Sequence, residues 1–148
     1  MVMSSSFKDA QDSPGFLLWE VTNLWQRRIR QALEPLALTH MQFVILFSCQ
    51  WLSCQDDSVA LTQIQLAQHA RIDVNVTSQV LRVLEQKGYV VRRMHPTDMR
   101  AKVIVPTPEG RDLALRAVKV VEAADQEFFS RLGGETNHFI QLMRQLRA

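Results

Sequence analysis

Residues 89–107 read YVVRRMHPTDMRAKVIVPT. Around a proline-bearing turn stand Arg92, Arg93, Arg100 and Lys102, with one acid among them, Asp98. Guanidinium and ammonium groups at the tip of a hairpin suit the gripping of phosphate, and an arginine there can also enter a narrow minor groove. Arg92 and Arg93 are adjacent on a strand, so they point to opposite faces: one can reach phosphate while the other packs or pairs. An acid facing DNA would be repelled. Asp98 is therefore assigned to orienting Arg100 through a charge-assisted pair, with backbone capping of the turn as the plainer role for the same side chain. Just upstream, DVNVTSQVLRVLEQKG (73–88) sets Asn75, Ser78, Gln79 and Arg82 on one side of a helix, with Val74 near its start. Such groups can hydrogen-bond base edges in a major groove, and Val74 can touch a thymine methyl. Alone, each feature fits a solvated helix face or an ordinary turn. In direct succession they point to the reading of double-stranded DNA.

The charge distribution agrees. Between Arg71 and Lys102 there are seven Lys/Arg and three acids, an excess of four in a chain whose formal net charge is +2. One segment carries the positive field. The chain has 148 residues and is 47% apolar, enough for one domain with a buried core. The stretch 41–54 is the longest apolar run and is too short to span a bilayer. No secretion signal is visible and two cysteines cannot make a disulfide scaffold, so a cytoplasmic protein without membrane attachment is expected.

The elements that must position these residues follow from spacing. The first 13 residues are polar and expected to be loose, and Ser13-Pro14 caps a helix to about Leu33 that Pro35 ends. Thr39 and Gln42 fit a capping box before a nearly all-apolar helix to about Cys54, which should be buried. Residues 55–58 form a loop. Thr62 and Gln65 fit a second capping box, opening a short helix to about His69. A brief connection then leads to a helix over 74–87, closed by Gly88. Val80, Leu81, Leu84 and Thr77 mark its packed face. Strands over 89–94 and 101–105 follow, then a helix from Thr107-Pro108 to about Leu132, a break at Gly133-Gly134, and a last helix over 135–147. The fold class is mainly α with a small β-hairpin wing: a winged helix-turn-helix body (about 39–107) flanked by helices at about 14–34 and 108–147.

The run from Leu61 to Gly110 resembles the MarR family of bacterial winged-helix transcription regulators, through LEQKGYVVRR (84–93), the wing signature D-x-R at Asp98–Arg100, and T-x-E-G at Thr107–Gly110. The resemblance implies a homodimer whose terminal helices form the interface, and a recognition helix and wing that bind a pseudopalindromic operator. It places the family's wing arginine at Arg100 and its partner acid at Asp98. The chain departs from the common pattern in HARIDVN, which lacks a glycine or serine between the two short helices, and in the acidic cap Asp73. Apolar residues in both end regions, among them Phe16, Leu17, Phe128, Phe129, Leu142 and Leu146, support helix-on-helix association independently.

Regulators of this kind answer to a signal. A candidate effector pocket where the end helices meet the winged body is formed by Trp19, Trp25, Phe43, Phe47 and Trp51, with Arg27, Arg28 or His40 to hold an acid; its ligand would be small and aromatic or anionic. The plainer reading of these rings is core. Cys49 and Cys54, five residues apart on one helix, suggest a thiol sensor only weakly, because they cannot bridge while the helix persists. No catalytic motif, cofactor loop or metal-ligand spacing is present, so no enzyme is expected. The remaining alternative is a winged helix that binds protein, which would expose apolar groups where this chain has Asn75, Gln79 and Arg100. Repression is the expected mode.

Overall fold

The computed structural model describes residues 8–55 and 60–147. Of the expected loop at 55–58, residues 56–58 lie outside that range, as do the first seven residues of the N-terminal segment. The rest of that segment contains a 3-10 turn, Ala10–Asp12, capped by Asp9.

Helix α1 is Pro14–Leu33, and the Ser13 hydroxyl accepts from the Phe16 amide at its start. A 3-10 turn, Glu34–Leu36, and a left-handed Ala37 (φ 55°) redirect the chain. Helix α2, His40–Gln55, opens with the expected capping box: the Thr39 amide donates to Gln42 Oε1 (3.2 Å) and the Gln42 amide to Thr39 Oγ1 (3.1 Å). Its side chains Phe43, Ile45, Leu46 and Cys49 form the centre of the core, although Met41 and Trp51 at its edges are exposed. Helix α3, Gln63–Ala70, starts with the Thr62–Gln65 capping box.

Helix α4, Val74–Gln86, follows a left-handed Arg71 (φ 56°), so the connector makes its sharp turn without glycine. Asp73 is the cap: its Oδ1 accepts from the amides of Asn75 (2.8 Å) and Val76 (3.3 Å). The acid that departs from the family pattern thus satisfies two orphan donors and suits the helix dipole. Gly88 (φ 84°) ends the helix, with the Tyr89 amide reaching back to the Leu84 carbonyl at 2.9 Å.

Strands β1, Val90–Met94, and β2, Lys102–Pro106, pair antiparallel with Arg92 opposite Ile104 and Met94 opposite Lys102. The Ile104 amide also bonds the Leu61 carbonyl (2.8 Å), tying the hairpin to the start of α3. Helix α5, Pro108–Phe129, runs back across α1 and α2. It ends three residues before the expected boundary, in a 3-10 segment Ser130–Glu135 broken at Gly133. Helix α6, Thr136–Arg147, closes the chain. Ile29, Leu33, Ile45, Leu46, Leu66, Leu81, Leu84 and Ile104 are fully buried, drawing α1 to α4 and β2 onto one core. Each contributes on the order of 1.5–3 kcal/mol. Among the described residues, no single helix is long and apolar enough to cross a membrane.

Candidate nucleic-acid interface

Helix α4 has two chemically distinct sides. Thr77, Leu81 and Leu84 are wholly buried against the core, as the 3.6-residue spacing predicts. Val74, Asn75, Gln79 and Arg82 are exposed, and Ser78 is half-buried. These polar groups therefore share one open side of the helix.

The wing is locked to that helix by a residue expected to touch DNA. The Arg92 guanidinium approaches Glu85 Oε1 at 3.4 Å and Ser78 Oγ at 3.5 Å, and its backbone amide donates to Glu85 Oε2 at 3.2 Å. With its side chain only 17% exposed, Arg92 is committed to joining β1 to α4. Of the two strand arginines, Arg92 is thus the one that packs and pairs. The alternation of strand side chains permitted either outcome; the acid one helical turn before Gly88 decided it, because a half-buried carboxylate needs a cation. Arg93, on the opposite face, is exposed, as are Lys102 and Arg100.

The wing tip also differs from expectation. Asp98 Oδ1 accepts from the backbone amide of Arg100 at 3.0 Å, and among the described residues the two side chains form no ion pair. Asp98 here shapes the turn rather than gripping the guanidinium. A short acid two residues before an amide makes that Asx bond without the entropy cost of fixing a long arginine side chain.

The root of the wing is held by Thr107. Its hydroxyl donates to the Gly88 carbonyl (2.7 Å) and accepts from the Gly110 amide (3.0 Å), while its own amide bonds the Tyr89 carbonyl (3.0 Å). T-x-E-G is therefore a splice between wing and α5.

The five aromatic residues are spread along α1 and α2. Trp19 is 67% exposed and Trp51 is 51% exposed, while Phe43, Phe47 and Trp51 run as a stack along α2. Trp25 packs its ring against His40 (5.1 Å) and donates Nε1–H to Asp125 (2.7 Å), joining α1, α2 and α5. Rings three to four residues apart on one helix necessarily stack along it, and that spacing mimicked a lined pocket. None of the five lines either of two cavities beside Arg30 of α1, one reaching the α3–α4 connector and the other the end of α4. One, of about 470 Å³, is bounded by Arg30, His40, Met41, Val44 and Ile72, among others. The other, of about 550 Å³, is bounded by Arg27, Arg30, Glu34, Thr39, Gln42 and Lys87, among others. Of the three residues expected to hold an acid, Arg27 borders the larger cavity and His40 the smaller, while Arg28 borders neither. Burial pushes the His40 imidazole below its ordinary range, against the opposing pull of the Asp125 carboxylate.

Of the thiols, Cys49 is fully buried and pushed up to about 12 by burial, against smaller opposing pulls from Ser53 and Arg111; Cys54 is exposed and accepts from the Gln50 side chain. Native protein at pH 8 should thus show one fast thiol toward a soluble disulfide reagent, Cys54, with Cys49 reacting only on unfolding. Two fast thiols would contradict this burial. The sign for stability follows. The folded state prefers the protonated Cys49, so its contribution is intact below about pH 9 and is lost as pH rises from there toward 12.

The comparisons agree with this architecture. The MarR family pattern matches residues 38–102. The HTH-type transcriptional regulator YdcH of Bacillus subtilis is 36% identical over 147 residues, 99% of each chain. The MarR family protein Rv2887 of Mycobacterium tuberculosis, in a crystal structure with DNA, is 31% identical with a TM-score of 0.68, covering 92% of this chain and 98% of its own. CouR of Rhodococcus jostii, in a crystal structure with p-coumaroyl-CoA, is 27% identical with a TM-score of 0.74, covering 95% and 92%. With a helix whose polar side is open, a wing locked to it by Arg92, and a relative matched end to end, this chain belongs to the MarR family of DNA-binding winged-helix transcriptional regulators, and is not an enzyme.

Proposed function

We propose that the protein is a repressor that binds a pseudopalindromic operator as a homodimer and lets go when a small aromatic or anionic ligand enters the cavities beside Arg30, where α1 and α2 meet the α3–α4 connector and the end of α4. The observation that carries the DNA reading is the division of α4: a buried apolar side, and an open side bearing Val74, Asn75, Gln79 and Arg82, to which Arg92 fixes the wing. In this reading two copies of α4 enter successive major grooves about 10 bp apart, and Arg93, Arg100 and Lys102 hold backbone or minor groove. Ser78 supports the reading helix, sharing its hydroxyl with Arg92. The DNA complex of Rv2887 and the designation of that relative as a repressor support the mode. The ligand complex of CouR supports an effector. Arg30 borders both cavities, so an anion beside it would lie where α1 meets the reading body. A change in the angle between the dimer helices would then change the spacing of the two reading heads.

The test is selection from random duplex DNA across a salt series. Wild type should enrich a pseudopalindrome with affinity falling steeply in salt. Arg100→Ala should bind about tenfold more weakly and lower the salt slope by about one per protomer. Asp98→Asn should stay near wild type, since its amide oxygen can still accept from the Arg100 amide, whereas Asp98→Ala should weaken binding. Selection of no sequence by wild type would favour the protein-binding alternative.

A further inference from the structure

We propose that His95 is the positioning residue of the wing, acting as an unprotonated Nδ1 acceptor that presets the tip for Arg100. The turn is closed by two backbone bonds, the His95 amide to the Ala101 carbonyl and the Ala101 amide to the Asp98 carbonyl, both 3.1 Å. Inside it, His95 Nδ1 lies 3.1 Å from each of the Thr97 and Asp98 amides, with Thr97 Oγ1 at 3.3 Å. Backbone amides can only donate, so Nδ1 carries no proton and the ring is the Nε2–H tautomer. Pro96 has no N–H, so Thr97 and Asp98 supply the first two donors after His95.

From there the order passes to the functional side chain. Asp98, held by His95, accepts from the Arg100 amide. Among the described residues, the hydrogen bonds of Thr97, Asp98 and Arg100 all stay within residues 95–101. Met99 is 79% exposed, so packing does not hold the tip either. Fixing Arg100 thus falls to this relay. The chemistry is that of an Asx turn: Nδ1 is bonded to Cγ, as is the Oδ1 of asparagine, so the imidazole offers its lone pair from the same place along the side chain. Glutamine places its polar atoms one bond farther out.

That difference makes the test. The inference rests on the DNA-binding reading, so it needs readouts on and off DNA. His95→Asn, His95→Gln and His95→Ala are all uncharged, which leaves the wing's field the same as that of the neutral histidine. His95→Asn should bind random-sequence duplex within about twofold of wild type, while His95→Gln and His95→Ala should lose about tenfold, on the scale of a lost cap. In an Arg100→Ala background the His95→Gln penalty should largely vanish, because the positioned group is gone. Nitrogen NMR of wild type should show an unprotonated Nδ1. Equal binding by the asparagine and glutamine variants, or a protonated Nδ1, would overturn the proposal. If wild type binds no duplex, the DNA reading fails, and exchange of the Thr97 and Asp98 amides decides the cap: slow in His95→Asn and fast in His95→Gln upholds it, and equal rates overturn it.

Discussion

Gly110→Ala should lower stability by about 3 kcal/mol or more, by overlap with backbone. A Cβ on Gly110 would collide with the Tyr89 carbonyl oxygen and come within 2.8 Å of its carbon and 3.1 Å of its Cα. None of these atoms is the end of a flexible side chain. The same carbonyl accepts from the Thr107 amide, and the neighbouring Gly88 carbonyl accepts from the Thr107 hydroxyl, so displacing Tyr89 pulls on the whole splice between wing and α5. Helix propensity pushes the other way, since alanine gains about 1 kcal/mol over glycine inside a helix. The overlap should win, because the helix gains one residue's propensity while the wing root must move. Urea unfolding at fixed protein concentration measures it, with Gly134→Ala as control, since nothing lies within 4 Å of a Cβ there. The control should stay within about 0.5 kcal/mol of wild type. A Gly110→Ala protein as stable as wild type would mean that α5 is not packed tightly on the wing root.

Much of this architecture was legible because local rules and global packing agree. Both capping boxes form, Ser13 and Thr107 cap as their spacing predicts, and Gly88 takes the left-handed conformation that ends α4. The readings that missed depend on what sits opposite in space. Sequence separates Arg92 from Arg93 by face, but only the position of Glu85 shows which one turns inward. Asp98 lies two residues from Arg100, a spacing that serves a side-chain pair or a backbone bond equally; the structure has the latter. His95 carries no motif of its own, because what it does in the turn is accept from the Thr97 and Asp98 amides. One signal could have found it: His-Pro-x-Asp in a turn stands where Asn-Pro would be an ordinary turn opening. The aromatic residues recur with helical spacing, yet the two cavities described open beside Arg30 of α1, one of them also beside Lys87 at the end of α4.

Charge placed on the apolar ends should cost the most in DNA binding. Phe16, Leu17, Leu18, Trp19, Val21 and Leu24 of α1 are 40–67% exposed, and Leu142, Met143 and Leu146 of α6 are 43–82% exposed. Phe128, Phe129 and Phe139, by contrast, pack on one another and are half-buried, so the surplus apolar surface is narrower than the sequence suggested. A surface of this kind calls for a partner, and the proposed one is a second copy of the chain. The double variant Leu142→Glu, Leu146→Glu should sediment as a monomer at micromolar concentration. Its winged body should keep its helical signal, because neither side chain enters the buried core. A monomer can engage only one half-site, so operator affinity should fall by at least about a hundredfold, the scale set by losing the tethered second contact. The salt slope should fall to about half, since half the phosphate contacts are gone. That pairing separates dimer loss from wing damage: Arg100→Ala trims the slope slightly and leaves the dimer intact. A double variant that remains dimeric and still holds the operator would remove these helices from the interface, and the effector model that depends on their angle would go with them.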